Sequence, residues 1–147
     1  MRLAASFVAL TLFGCEKPRE APPLDAKFGV FFGGQVEERE ELPLVLDRTR
    51  QSHGIRLEFR EPPERPLRVT WELEKPQASK LDDAGKIVEY GETKTRVGEG
   101  RLEIPLGFKT GDRPGGWHVK VSVDERVVLD RGFKVVPAGP APRGAEE

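Results

Sequence analysis

Few residues of this chain could take part in catalysis or metal binding. The sequence has two histidines, His53 and His118, and one cysteine, Cys15. His118 falls in an alternating strand pattern and is predicted to be a solvated surface residue rather than a metal ligand. Ser52 and His53 could serve as nucleophile and base, but adjacent residues of an extended chain point in opposite directions. The sequence therefore predicts no catalytic serine, no metal site and no cofactor.

Carboxylates offer another possible chemistry. The charged run at residues 37–41 is predicted to be a solvated loop, and Asp82 and Asp83 beside Gly85 are typical of a hairpin turn. A calcium loop would need more oxygen ligands at regular spacing. Two of these carboxylates at roughly 5 to 9.5 Å in a cleft would favour a hydrolase. A carboxylate-dependent hydrolase is thus kept as an alternative to a non-enzymatic function.

Composition narrows the class of protein. The 147 residues carry a formal net charge of −1, and the 33% of residues that are charged are interspersed in sign. A nucleic-acid-binding domain would show a basic face or stripe, so no nucleic acid partner is expected. The length predicts one domain, and a single cysteine excludes an intramolecular disulfide.

Alternating apolar and polar residues predict short β-strands along the chain. The clearest case is a hairpin at residues 114–136. A period of two places the apolar side chains on one face and the polar ones on the other. The side chains predicted to face inward are Trp117, Val119, Val121 and Val123 in the first strand, and Val127, Leu129, Phe133 and Val135 in the second, with Arg131 as the exception.

The other predicted strands lie at residues 27–36, 42–46, 55–60, 67–73, 87–90 and 101–108. Turn signals separate them, and the 16 glycines and 13 prolines suit many short strands. The sequence therefore predicts an all-β fold, an antiparallel β-sandwich of seven or eight strands. Trp71 and Trp117 share parity with aliphatic neighbours, so both are predicted to lie in one core between two sheets.

One segment resembles immunoglobulin-like domains. It runs from Asp112 through two glycines to Trp117 and Val119, like the entry to the sixth strand of those domains. Trp71 also lies in a long strand where they often bury a tryptophan. In those domains a tyrosine stands at the position of Trp117, and its hydroxyl makes a corner hydrogen bond. The resemblance implies an immunoglobulin-like architecture but not a function.

The first 15 residues have the organisation of a secretion signal. Arg2 precedes an apolar stretch at residues 3–13, which is too short for a transmembrane helix of roughly 20 apolar residues. The end of the signal, Leu12-Phe13-Gly14-Cys15, resembles the lipobox of bacterial lipoproteins. That resemblance implies cleavage before Cys15 and lipid attachment to it. A soluble secreted protein in which Cys15 is incidental is the alternative.

The chain is therefore expected to have four parts. A signal peptide at residues 1–14 is followed by the lipidated cysteine and a proline-rich tether at residues 15–26. Polyproline II extends at ~3.1 Å per residue, so the tether could hold the domain up to ~35 Å from its anchor. The sandwich follows at residues 27–137, and residues 138–147 are predicted to be a disordered tail.

These features predict a lipid-anchored binding or scaffolding module of the bacterial cell envelope, without catalytic activity. It would contact the membrane through the lipid on Cys15, and its partner would be another envelope protein or a glycan. Glu16 follows the cysteine, whereas an aspartate there is the retention signal for the inner membrane in the lipoprotein family. The outer membrane, facing the periplasm, is thus the expected location. A purely structural envelope component is a further alternative.

A polar loop at residues 47–54 is the first candidate for partner contact. It carries Arg48, Arg50 and His53 within eight residues. Binding residues concentrate on loops held by rigid scaffolds, and arginine suits bidentate contact with acidic groups.

Phe31 is the second candidate. It faces outward if Phe28, Val30 and Phe32 take the inward parity of the first strand. It is then either covered by residues 42–46 folding back on it, or exposed as an anchor for a partner at an edge strand.

Overall fold

The computed structural model describes residues 23–76 and 86–139. The predicted signal peptide, Cys15, most of the tether, the turn with Asp82 and Asp83, and all but the first two residues of the predicted tail lie outside the described residues.

Nine β-strands and no helix are found in the described part of the chain. The strands are β1 (Leu24–Phe32), β2 (Gln35–Glu37), β3 (Glu41–Leu44), β4 (His53–Phe59), β5 (Arg68–Pro76), β6 (Lys86–Lys94), β7 (Arg101–Pro105), β8 (Gly115–Val123) and β9 (Arg126–Pro137). They form a four-stranded sheet in the order β2-β1-β4-β7 and a five-stranded sheet in the order β3-β9-β8-β5-β6. The all-β sandwich is confirmed, with nine strands instead of seven or eight.

One apolar core lies between the sheets, built by the inward residues of the alternating strands. Phe28 of the four-stranded sheet and Phe133 of the five-stranded sheet meet across it, with ring centroids 4.6 Å apart. Each large apolar side chain buried there contributes about 1.5 to 3 kcal/mol. The largest fully buried side chains are Phe28, Leu42, Ile55, Leu57, Val69, Val119, Val121, Val123 and Val135.

The first strand differs from the expectation at both ends. β1 begins three residues early because Leu24 and Ala26 already pair with β4 and pack against the core. The inward position predicted for Phe32 is wrong, since this side chain is 76% exposed. The chain reverses immediately afterwards at Gly33 and Gly34, which both have positive φ, so Phe32 lies beyond the edge of the core.

The predicted edge strand at residues 42–46 is present as β3, but it runs parallel to β9. The chain passes from one sheet to the other between β2 and β3, and this brings β3 beside the last strand. Pro43 is tolerated there because β3 is an edge. The sandwich is antiparallel except for this pair. The predicted loop at residues 37–41 forms the crossing, although its first residue ends β2 and its last begins β3.

The hairpin of β8 and β9 follows the predicted parity except near its turn. Val127 is 48% exposed instead of buried. A register shift after Val121 pairs Val127 with Ser122, which faces outward. Such a bulge inserts one extra residue and reverses the parity beyond it, and the neighbouring Val128 packs against the core instead.

Trp117 keeps the corner bond that immunoglobulin-like domains make with a tyrosine. Its side chain is 4% exposed, and Nε1 donates a hydrogen bond to the carbonyl oxygen of Arg113 at 2.9 Å. The indole thus ties the start of β8 to the loop before it, as a tyrosine hydroxyl does in the corner.

Candidate functional site

A cleft of about 440 Å³ opens at one side of the sandwich. It exists because the five-stranded sheet is one strand wider than the sheet packed on it, and no residue of β6 is buried. The inner face of β5 and β6 forms one wall, and the segment after β7 forms the other. The residues that line the cleft are Arg48, Trp71, Leu73, Glu89, Tyr90, Pro105, Leu106, Gly107 and Lys109.

Trp71 supplies the aromatic surface of this cleft. It faces inward, opposite Val121 on β8 and Gly91 on β6. Its ring lies against Gly91, where an added Cβ would overlap the indole atoms Cε2 and Cζ2. Trp71 is half-buried at the rim of the core, so its predicted place inside the core is wrong. Its indole N–H has no hydrogen bond to another described residue.

A buried lysine holds one of the side chains that line the cleft. Lys75 continues the inward parity of β5 and is only 8% exposed. Its Nζ lies 2.6 Å from Asp112 Oδ1 and 2.5 Å from Glu89 Oε1. Burial alone would lower the pKa of Lys75, but hydrogen bonds to the two carboxylates outweigh it and raise the pKa above its usual value. Lys75 is therefore a cation that holds Glu89 in place.

Two cations line the cleft, Lys109 and Arg48. Lys109 Nζ lies 3.3 Å from Glu89 Oε2, so its charge is partly balanced. The Arg48 side chain rests against Gly107, whose φ of +76° and lack of Cβ leave room for it. No carboxylate of a described residue lies within ion-pair distance of Arg48. The cleft therefore presents a partly exposed indole and a guanidinium with no ion pair to a described residue, which together fit an anionic group with an apolar part.

The expectation that His53 lies in an exposed loop is wrong. His53 begins β4 and is 3% exposed, with its ring centroid 4.4 Å from that of Phe108 and 6.0 Å from that of Phe28. Burial lowers the pKa of His53 to about 4; the positive charge of Arg48 adds to this effect, and the negative charge of Asp112 opposes it. A buried neutral ring cannot contact a partner, so His53 is a core residue.

The arginines of the predicted partner loop line different surfaces. Arg48 lines the cleft at Trp71, whereas Arg50 lines a separate shallow depression with Leu46 and the residues that follow β9. Asp47 shapes the turn between them, since its carboxylate accepts a hydrogen bond from the backbone N–H of Thr49 at 2.9 Å. Partner contact by the two arginines stays a prediction, and the structure separates Arg48 from Arg50.

Phe31 lies on the outer face of the four-stranded sheet and is half-buried. The idea that residues 42–46 cover it is wrong, because β3 pairs in the other sheet. Phe31 instead lies beside Val36 of β2, and the guanidinium carbon of Arg56 is 5.9 Å from its ring centroid. β1 is also not an edge strand, since β2 and β4 flank it. A role for Phe31 in partner binding remains a prediction.

Three of the four carboxylates at residues 37–41 are engaged with cations, and all four residues are exposed. Glu37 pairs with Arg39, Glu38 with Arg131, and Glu41 with Lys134. Asp82 and Asp83 lie outside the described residues. On the outer face of β8, His118 Nε2 is 2.6 Å from Asp130 Oδ1. Within residues 23–76 and 86–139, no group of three histidine, cysteine or acidic side chains could hold a metal ion.

Two features of the sequence carry a signal for the cleft. A glycine inside a strand often marks a close approach of another group, and Gly91 receives the ring of Trp71. A lysine at an inward position requires a partner, and Lys75 occupies the position after Leu73 in the inward parity of β5. Neither signal alone indicates which residues stand opposite.

The sequence matches no protein-family model, and a search of curated proteins finds no match. Among solved structures, the chain is similar to an immunoglobulin-like protein from Pseudomonas aeruginosa, with a TM-score of 0.50 and 18% identity over 79% of this chain and 94% of that chain. At this identity the similarity shows the fold, and the immunoglobulin-like β-sandwich is confirmed.

A weaker similarity joins the chain to an alkylpurine DNA glycosylase from Pseudomonas fluorescens, solved with DNA containing an abasic site analogue. Its TM-score is 0.40 at 15% identity, over 78% of this chain and 30% of that chain. This similarity is too low to bear on function.

Proposed function

We propose that this protein is a lipid-anchored binding module of the bacterial envelope, without catalytic activity, whose cleft at Trp71 takes an anionic group of a partner protein. The observation that supports the proposal most directly is the pair of Arg48 and Trp71 in one cleft. The guanidinium offers planar donors that match a carboxylate, and the indole offers apolar surface and an N–H donor. An acidic side chain or a terminal carboxylate next to an apolar residue has the complementary chemistry.

The rest of the cleft supports the same ligand class. Of its charged side chains, Glu89 is held by Lys75 and Lys109, whereas Arg48 has no counter-ion among the described residues. A ligand carboxylate would supply that counter-ion without breaking an existing pair. Such a charge-assisted contact is about twice as strong as a neutral hydrogen bond.

Membrane anchoring is proposed from the sequence motif at Cys15. The described residues contain no helix that could cross a bilayer. Several acyl chains, at about 0.8 kcal/mol per buried methylene, would hold the protein durably. With Glu16 after the cysteine, we place the anchor in the outer membrane, with the domain in the periplasm.

Lipid attachment at Cys15 predicts in which cell fraction a variant without this cysteine is found. Cys15→Ser should move the protein from the membrane fraction to the soluble periplasmic fraction, and should abolish its partition into detergent, because no lipid can then be attached. Both are measured by fractionation and immunoblotting of the native cell. A Cys15→Ser protein that fractionates as the wild type does would rule the anchor out.

The cleft is tested by affinity purification from the native envelope with matched variants. Arg48→Ala should reduce recovery of the captured partner about tenfold or more, since it removes the unpaired donor of the cleft. Arg50→Ala is the control, because this arginine belongs to the same loop but lies outside the cleft. Equal recovery with both variants, or equal loss with both, would contradict the cleft as the binding site. Recovery of no partner by the wild type would favour a purely structural role.

A further inference from the structure

The four sheet edges of the sandwich differ in how they are protected. β2 has three residues, β3 has four and contains Pro43, and β7 has five and ends at Pro105. Short strands and prolines are the usual means of blocking edge pairing. β6 has nine residues, with no proline and no register shift against β5, and pairs with no second strand among the described residues. β6 is the longest of the four edge strands and lacks both of these means of protection.

The hydrogen-bonding pattern shows which backbone groups β6 leaves free. Thr95 N–H donates to the carbonyl oxygen of Leu67 at 2.9 Å, so this opposed pair is a hydrogen-bonded one. Hydrogen-bonded and non-hydrogen-bonded pairs alternate in an antiparallel ladder. The odd-numbered residues of β6 therefore bond to β5. The even-numbered residues, Lys86, Val88, Tyr90, Glu92 and Lys94, direct N–H and C=O toward the open edge.

The same even-numbered residues place their side chains on the outer face of the sheet. Tyr90 is 74% exposed and Val88 is 37% exposed, next to each other along that face. Lys86 and Glu92 flank them with opposite charges. From Lys86 to Glu92 this face of the strand therefore presents a cation, an apolar residue, an aromatic residue and an anion. An antiparallel copy presents the same side chains in reverse, so that a cation meets an anion and an apolar residue meets an aromatic one.

We propose that β6 is a homodimerisation edge, at which a second copy of this chain adds its own β6 in the antiparallel direction. In the register that the side chains favour, Lys86 lies opposite Glu92 of the second copy and Val88 opposite its Tyr90. By symmetry the two pairs occur twice. All four opposed pairs join residues with free backbone groups, so each is a hydrogen-bonded pair. Opposite charges and aromatic–β-branched pairs are the favourable cross-strand contacts.

The neighbouring register centred on Tyr90 is less complementary. Sliding one strand by two residues to centre the pair on Tyr90 would oppose Lys86 to Lys94 and Val88 to Glu92, and like charges in direct opposition are unfavourable. The proposed register has one like-charge opposition, between the two Glu89 side chains at the two-fold axis, and each of these carboxylates is paired with Lys75 and Lys109. The register centred on Tyr90 has two such oppositions, because the pair of Lys86 and Lys94 occurs twice.

Existing ion pairs extend the pattern across the interface. Lys86 Nζ lies 2.7 Å from Glu74 Oε1, and Glu92 Oε1 lies 2.8 Å from Arg68 Nε. Pairing of two copies would join these into a row of alternating sign: Glu74 and Lys86 of one copy, then Glu92 and Arg68 of the other. The interface shares Glu89 and Tyr90 with the lining of the cleft. It involves neither Arg48 nor Trp71, and it stands without the ligand proposed there.

The experiment uses the full chain in detergent, prepared in two versions that carry different affinity tags. The two versions are mixed, one tag is captured, and the amount of the other tag recovered with it is measured. Wild-type copies should co-capture. When both tagged versions carry Lys86→Glu, or both carry Glu92→Lys, co-capture should fall about tenfold. The reason is that each such pairing opposes like charges twice. Mixing Lys86→Glu with Glu92→Lys should restore capture, because both opposed pairs again have opposite signs.

The mixed sample separates an interface from a folding defect. If a substitution only disturbed the local ion pair to Glu74 or Arg68, mixing could not repair it. Mixed variants that co-capture no better than either variant alone would overturn the proposed register. Wild-type copies that fail to co-capture would overturn the dimer itself. Arg48→Ala should leave co-capture unchanged, which keeps this result distinct from that of the cleft.

Discussion

The two tryptophans of the five-stranded sheet share a parity and have different surroundings. Trp117 on β8 lies under the opposite sheet, where its ring contacts Phe108 and Phe133 at centroid distances of 5.5 and 6.0 Å. Its N–H is bonded to Arg113. Trp71 on β5 lies near the margin, against Gly91 and beside the cleft. Parity alone places both side chains on the inner face, and coverage by the second sheet decides which one is buried.

The difference assigns separate roles to the two rings. Strand β8 is central in its sheet, so the Trp117 ring packs against Phe108 and Phe133, and its loss would leave a cavity. The ammonium of Lys75 lies 5.7 Å from the centroid of the same ring. β5 is one strand from the edge, and the sheet opposite ends at β7. An inward aromatic residue there contributes less to stability and has surface to offer a ligand. We therefore infer that one indole stabilises the fold and the other serves the site.

Truncation of each tryptophan is the strongest test of this difference. Trp117→Ala should lower the free energy of unfolding by about 3 to 5 kcal/mol, through lost burial and the cavity it leaves. Trp71→Ala should cost only about 1 to 2 kcal/mol, because part of its surface is already in water. Urea unfolding of both variants measures the two losses. Equal losses would mean that Trp71 belongs to the core.

The next largest expected effect is a loss of folding stability in acid, caused by the buried His53. Above pH 6.5, the pKa of a histidine in the unfolded chain, His53 is neutral in both the folded and the unfolded protein. As the pH falls, the unfolded ring takes up a proton that the folded ring, with a pKa of about 4, does not. Stability should therefore fall between pH 6.5 and pH 4, by about 3 kcal/mol in total, and this contribution levels off below pH 4.

The measurement compares urea unfolding of the wild type and of His53→Leu across this range. Carboxylates contribute to both proteins, so the difference between the two curves isolates the histidine. That difference should change by about 3 kcal/mol between pH 6.5 and pH 4 and become constant above about pH 7. Two parallel curves between pH 4 and pH 6.5 would show that the ring is accessible to protons in the folded state.

The alternation of β8 was sufficient to predict its buried face, because every second residue there is apolar and both neighbouring strands cover it. The same rule misplaced Val127 and Phe32, because a bulge and a two-glycine turn change the direction of a side chain without changing the pattern. It also placed His53 in a loop, since a polar residue at the start of a strand looks like the end of the preceding loop.

The cleft was less accessible to sequence reasoning. The composition of its loop singles out Arg48, whereas the parity of β5 predicts that Trp71 lies in the core. Their proximity depends on how far one sheet extends past the other, and this is a long-range property of the sandwich. The inward Lys75 shows the same limit, because its partner Asp112 lies 37 positions along the chain.

The smallest expected effect on stability comes from Gly91 and tests the contact between this glycine and Trp71 beside the cleft. Gly91→Ala places a Cβ where the ring of Trp71 lies, so the ring has to move toward the cleft, and overpacking of this kind costs about 1 to 3 kcal/mol. In a Trp71→Ala background the space is empty, and the same change should be neutral or stabilising by about 0.5 to 1 kcal/mol, since alanine loses less backbone entropy than glycine in a strand. A double-mutant cycle on unfolding free energies measures the coupling between the two positions. A cost for Gly91→Ala that is the same in both backgrounds would show that the ring does not rest on this glycine, and the margin of the sheet would then be open for another reason.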